Sequence, residues 1–296
     1  MTVAQDPAAP VAVPVQPDQA RIARRERLRL LGRSPTFLIG CLLAGIWVVC
    51  ALFGPLIAPH SPEFPDVLNK LVGPSGEHFF GTDRLGRDVL SRVIVGARAV
   101  LIVAPLATLL GTVLGTALGL ITGYYRGIVD EVIMRVVDAV LAVPLIIIAL
   151  LAIVALGPAR VTLILVIGFV FSPIIAKTVR AAVLGEAQLE YVQAARLRNE
   201  RSPYVMFAEI LPNVMGPVIV EFTVRLGYAI FAVATLSFLG FGADPSIPDW
   251  GQDISQHYQF ISGGVWWPVL FPSLAIATLI VGINLIADAI AQTFER

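Results

Sequence analysis

The sequence predicts an all-α membrane protein with six spanning helices, and three observations carry that prediction. Of 296 residues, 57% are hydrophobic and only 14% charged, where soluble domains hold about 25% charged residues. The mean hydropathy is +0.82. Apolar runs approaching the roughly 20 residues that a hydrocarbon core requires recur along the chain. Zero net charge and a pI near 6.8 offer no basic face to a nucleic acid.

Residues 1–20, rich in Pro, Ala and Val without a helical period, read as a disordered cytoplasmic tail. Residues 21–35 read as a basic juxtamembrane segment, with Arg21, Arg24, Arg25, Arg27 and Arg29 placed to meet anionic lipid headgroups. The first span is expected over residues 36–58, Thr36 to Ala58. It exceeds the ~7–15-residue core of a signal peptide and is followed by more spans, so it is expected to remain uncleaved. Five further spans centre on 100–123, 137–156, 161–176, 214–238 and 268–290; together with their loops they form a transmembrane domain over 99–292. The 161–176 segment is short and holds Pro173, and Gly157-Pro158 makes the turn before it. Cys41 and Cys50 lie about 13.5 Å apart along one helix, too far for a disulfide, and read as packing residues.

Orientation follows from the cations. With the N-terminus inside, fourteen of the 21 Lys and Arg residues fall in inside segments and six in outside segments, which favours N-in and C-in. Residues 59–98 then form an irregular extracytoplasmic lobe, and 240–267 a second outside segment. Trp250, Trp266 and Trp267 in the latter are expected to join an interfacial belt.

Several chemistries are missing. Only Lys70 and Lys177 are lysines and neither follows a G-x-x-x-x-G, so no phosphate loop exists in this chain. H-E-x-x-H, C-x-x-C and G-x-S-x-G do not occur. His60, His78 and His257 are scattered through outside segments and read as polar surface groups; no metal site is expected. Energy for any work must come from a gradient or from a partner.

Ionisable groups near spans remain as candidates. Asp130, Glu131, Arg135 and Asp138 are expected to form a self-neutralising interfacial cluster, since Arg135 lies four residues after Glu131 and three before Asp138. Glu221 and Arg225 share the same i, i+4 spacing inside the fifth span, as a helix charge pair or a pore lining. Asp288 is expected at the interface.

The island 177–213 is the most structured polar stretch. Val179, Val183, Ala187, Tyr191 and Ala195 recur every four residues, one apolar stripe of a helix. Asn199 suits a left-handed C-cap. Ser202 as N-cap and Pro203 at the first helical position restart a helix, which Pro212 is expected to break before the fifth span.

These residues resemble the EAA loop of bacterial ABC-importer permeases: Gln193-Ala194-Ala195, then Asn199, then Ile210-Leu211-Pro212. Gln193 stands where the family has an acid and Asn199 where it has a glycine. Further blocks are similar to the C-type subunits of the dipeptide/oligopeptide (peptide/nickel) group. One runs from His78 through Gly81, Thr82, Asp83, Gly86, Arg87, Asp88, Ser91 and Arg92 to Gly96-Ala97-Arg98. Others are Asp130, Met134-Arg135, Asp138 and Pro144, and Leu236-Ser-Phe-Leu-Gly with Asp249-Trp-Gly, where Val233 replaces a frequent acid. The resemblance covers roughly residues 36–292.

It implies a type I ABC-importer permease fold in the bacterial inner membrane and no catalytic residues. ATP and Mg would be held by partners. Those partners are a B-type permease, two ATP-binding cassette ATPases and an extracytoplasmic binding protein, alongside membrane lipid and with no nucleic acid. The residues expected to couple to the ATPases are Tyr191, Gln193, Ala194, Ala195, Arg196, Asn199, Ser202, Pro203, Leu211 and Pro212. The expected cargo is dipeptide or oligopeptide, with nickel chelate, haem, glutathione or sugar as alternatives. A gradient-driven secondary transporter is the reading from another class, and an intramembrane enzyme a third.

Overall fold

The computed structural model describes residues 31–242 and 246–294; the tail 1–20 and the arginines at 21–29 lie outside the described residues. Ten helices carry the fold: α1 (Pro35–Ile57), α2 (Val89–Tyr125), α3 (Gly127–Leu141), α4 (Leu145–Leu156), α5 (Arg160–Glu186), α6 (Glu190–Leu197), α7 (Ser202–Tyr204), α8 (Leu211–Leu236), α9 (Trp250–His257) and α10 (Trp267–Phe294). Among the described residues the only β-pairing is one bridge between Thr82 and Asp88.

α1 starts where its sequence dictates. Ser34 accepts the Phe37 amide as N-cap and Pro35 opens the helix, satisfying donors that an N-terminus otherwise leaves unpaired. Little of α1 is buried, and residues such as Leu42, Leu52 and Leu56 face outward, as lipid contact requires.

Close approaches fix how the spans run. Gly111, Gly115, Gly119 and Gly123 of α2 meet Gly168, Ile175, Val179 and Val183 of α5 in rising order, so these helices are parallel. A Cβ on Gly115 would sit 2.6 Å from the Ile175 Cβ, and one on Gly119 2.7 Å from the Val179 Cβ. The stripe of small residues lets the two backbones touch, a form of packing suited to a solvent that gives apolar side chains no drive to associate. α1 packs antiparallel to α10, with Gly40 near Ile286 and the Trp47 indole donating to Thr278 at 3.0 Å. α8 also lies antiparallel to α10, Gly227 facing Asn284. The start of α1, the end of α10 and the 187–210 segment therefore share one end of the bundle, here the inner end. The 59–88 and 246–266 segments share the outer end.

Four expectations need correction. The third span is not one helix: α3 and α4 meet at 85° across Ala142–Pro144, because proline disfavours helical geometry in the residue before it. The segment read as short, 161–176, belongs to the 27-residue α5, whose middle is largely buried. Pro173 is accommodated inside it. α2 begins at Val89, so Gly96-Ala97-Arg98 are helical rather than part of the lobe. Pro212 breaks nothing: α7 and α8 run on as one helical rod from Ser202 until Gly240, whose φ of +91° kinks the chain. A π-helical turn over Val205–Ile210 precedes Pro212, and such wider turns relieve the ladder bond that a proline cannot make.

Candidate functional site

At the inner end, α5 stops at Glu186, the chain turns through Ala187–Leu189, and α6 follows. The single helix expected across this region is thus two helices, although its stripe holds: Val179, Val183 and Ala195 are fully buried and Ala187 nearly so. α6 ends in a Schellman motif. Asn199 sits at φ +56°, its amide donates to the Arg196 carbonyl, and the Glu200 amide donates to the Ala195 carbonyl. Arg201, not Ser202, takes the N-cap position of α7, with Ser202 and Pro203 in its first turn, so the helix starts one residue earlier than expected.

Tyr191 ties this corner together. Its hydroxyl donates to Glu186 Oε1 at the end of α5 (2.6 Å), and it accepts from Asn213 Nδ2 near the start of α8 (3.0 Å), which also donates to the Glu209 carbonyl. Burial and the neighbouring Glu186 carboxylate push the phenol up to about 12, so it stays a neutral donor. Arg196 places its guanidinium 4.5 Å from the Tyr124 ring centroid at the end of α2, and Arg126 Nη2 donates to the Leu184 carbonyl. One short helix is thereby fastened to α2, α5 and α8. Gln193 spends its amide on the Gln188 carbonyl at 2.9 Å, a local bond that needs no acid.

The remaining residues expected to couple to a partner divide by exposure. Ala195 is fully buried, whereas Gln193, Ala194, Arg196, Asn199, Pro203 and Pro212 are exposed, with Ser202 and Leu211 between. Sequence reasoning missed Leu197, 84% exposed, and Phe207, 56% exposed; large apolar groups at a polar membrane end were the available signal. It also missed Glu186, Glu209 and Asn213, whose roles arise only from tertiary contact.

The interfacial charges pair across helices. Asp130 receives a two-point contact from the Arg180 guanidinium, both bonds 2.5 Å, and Asp138 pairs with Lys177 at 2.6 Å. Arg135 keeps only Glu131, at 3.5 Å and largely exposed. The expected self-neutralising trio is therefore replaced by α3–α5 bridges, since Asp130 and Asp138 point toward the cations of α5.

Within the bundle, Arg225 Nε donates to Glu221 at 2.6 Å and its guanidinium lies 5.3 Å from the Tyr228 ring centroid. Arg225 borders a 480 Å³ cavity beside the α3–α4 bend, with Pro144, Leu145, Phe171 and Phe231 among its walls. Asp288 lines a second space, of 430 Å³, between α8 and α10.

The outer-end motif folds as a scaffold. Asp83 accepts the Leu85 and Arg87 amides and the Arg87 side chain (2.7, 2.9 and 2.6 Å). Gly81 and Gly86 hold φ of +72° and +81°. Asp88 caps α2 by accepting from the Ser91 amide and hydroxyl. Arg92 reaches the second outer segment, bonding Asp253 Oδ1 at 2.6 and 2.9 Å and the Pro62 carbonyl at 2.9 Å. Thr82, Asp83, Arg87, Asp88, Ser91 and Arg92 are all buried; they shape the outer surface and do not present themselves on it.

The tryptophans also differ from expectation. Trp250 is fully buried and donates to the Val93 carbonyl, and Trp267 donates to the Thr82 carbonyl; only Trp266 is exposed as a belt residue would be. His257, expected at the surface, is buried. It accepts the Arg84 amide and bonds the Asp253 carbonyl, and burial holds its pKa below the usual imidazole value.

Residues 115–296 match the family described as binding-protein-dependent transport system inner membrane component, and residues 24–74 match the N-terminal transmembrane domain of oligopeptide transport permease C. The chain belongs to this permease family. A dipeptide transport system permease protein, DppC, of Escherichia coli is 42% identical over 89% of both chains. The protein of that name from Alkalihalophilus pseudofirmus is 36% identical over 92% of this chain and 89% of its own. A di/tripeptide permease of Pseudomonas aeruginosa is 36% identical over 86% of each. This permease is accordingly a multi-pass component of a bacterial inner membrane, with α1, α2, α5, α8, α10 and the bent α3–α4 pair long and apolar enough to be its spans.

Proposed function

We propose that this permease is the C-type membrane subunit of an ATP-driven importer of dipeptides or oligopeptides. It pairs with a B-type permease, takes cargo from an extracytoplasmic binding protein, and is driven by two ATP-binding cassette ATPases that hold ATP and Mg. The inner end is cytoplasmic on the balance of cations. Peptide cargo is supported by the names of the related permeases.

The observation that carries the mechanism is the fastening of α6 to three long helices through Tyr191 and Arg196, with Leu197 and Ala194 left exposed on the far side. A partner that grips the exposed face and closes on ATP would displace α6, and the corner would transmit that displacement to α2, α5 and the α8 rod. The buried outer scaffold keeps a fixed surface for the binding protein while the inner end moves.

Leu197→Asp tests this in the reconstituted complex. Loss of substrate-stimulated ATPase activity and of uptake by at least about tenfold, roughly 1.4 kcal/mol of coupling, is expected with the chain still folded and inserted. Undiminished uptake would sink the coupling role. Substitution at Ala195 is uninformative for docking, because its side chain is buried.

A further inference from the structure

We infer a divalent transition-metal site at the outer end, formed by His60, His78 and Asp88. His60 lies at the start of the irregular lobe, His78 further along it and Asp88 is the N-cap of α2, yet their ligand atoms all lie within 4.8 Å of one another. The Asp88 Oδ1 is 2.9 Å from His78 Nδ1 and 3.7 Å from His60 Nδ1. Donors at tetrahedral positions around zinc, with bonds near 2.0–2.1 Å, stand about 3.3 Å apart. The two separations bracket that edge, and the longer one exceeds a hydrogen bond.

The three groups are held in place by contacts that a metal would leave intact. Both Ser91 donors go to Asp88 Oδ2, so Oδ1 is the oxygen turned to the imidazoles. The Ser91 hydroxyl also accepts the His60 backbone amide at 3.1 Å, which anchors that residue beside the α2 terminus. The rings are 4.8 Å apart. Asp88 and His78 are buried while the His60 side chain is 40% exposed: two fixed ligands, and a third that leaves an entry path.

Two imidazoles and one carboxylate suit zinc, copper(II) or nickel(II) rather than magnesium or calcium, which favour all-oxygen sets. A water completes the fourth position, as in open zinc sites. The metal takes His78 Nδ1, so the bound ring is the tautomer that carries its proton on Nε2. Occupancy ties the chain at His60 to the first turn of α2 and so stiffens the outer surface.

The test uses the full-length chain with its partner subunits in nanodiscs, with Zn2+ alone as probe and bound metal measured after equilibrium dialysis. Subtracting a His60→Ala complex isolates this site from metal held by other subunits. The expected difference is about one Zn2+ per chain, with His60→Ala and Asp88→Asn each weakening binding at least about tenfold. Asp88→Asn keeps an oxygen for the Ser91 donors, so the helix cap survives in that variant. Co2+ should give the visible absorption of a tetrahedral nitrogen–oxygen site that both variants lose. Equal Zn2+ in wild type and His60→Ala, or a signal removed by Cys41→Ser with Cys50→Ser instead, would overturn the assignment.

Discussion

Asn199 holds φ +56°, a conformation that costs an ordinary L-residue about 1–2 kcal/mol and asparagine less. Asn199→Val should therefore lower stability by about 1 kcal/mol, seen as a fall in Tm, while Asn199→Gly should match or exceed wild type. The left-handed cap was legible in the sequence because the conformational preference is local. The Tyr191–Glu186–Asn213 node was not, because its partners come from three elements. His257 makes a second residue-scale prediction. Its folded pKa lies below the unfolded value, so the neutral ring contributes stability above about pH 6.5 that is lost as pH falls through the folded pKa. Wild type should lose Tm more steeply than His257→Gln on acidification from pH 7.5 to about 5; parallel curves would remove His257 as the cause.

At the scale of elements, the α2–α5 seam is the firmest feature. Gly119→Val would force a side chain into Val179 and Ala176, an overpacking cost of about 1–3 kcal/mol. A Cβ at Gly45 on α1 meets nothing within 4 Å, so Gly45→Val should be nearly neutral, and the difference in detergent unfolding midpoint between the two variants measures the seam. The spacing of Gly111, Gly115, Gly119 and Gly123 was available in the sequence as a small-x-x-x-small pattern. Six apolar stretches were also legible, since lipid demands them. The α3–α4 bend was not: apolar composition on both sides of Pro144 is the same for a straight span and a broken one. Nor was the reach of α5 to Glu186, because the change from lipid to water does not interrupt a helix ladder. The polar island 177–213 was read as one helix too few, because the turn through Ala187–Leu189 carries no glycine or proline.

Across the whole molecule, a buried ion pair locks the outer end. Arg92 and Asp253 lock it, joining α2 to α9 with both side chains buried, and Asp253 Oδ2 is left without a hydrogen bond. Removing one charge strands the other, so Arg92→Met should cost about 3–5 kcal/mol. Adding Asp253→Leu to Arg92→Met should recover much of the loss, because the pair then leaves no buried ion. Thermal unfolding of the single and double variants checks this, and a double variant no better than the single would show that the Pro62 contact or packing dominates.

The glycine seam also bears on how this chain tolerates inheritance. Every missense change in the first two bases of a glycine codon adds at least a Cβ, and at Gly111, Gly115, Gly119 and Gly123 that atom would fall under 3 Å from α5. Four codons spaced a dozen bases apart are thus closed to nearly all drift. Nearby codons for lipid-facing residues such as Leu109 and Val113 can exchange one apolar side chain for another, so one helix carries a rigid and a permissive mutational face.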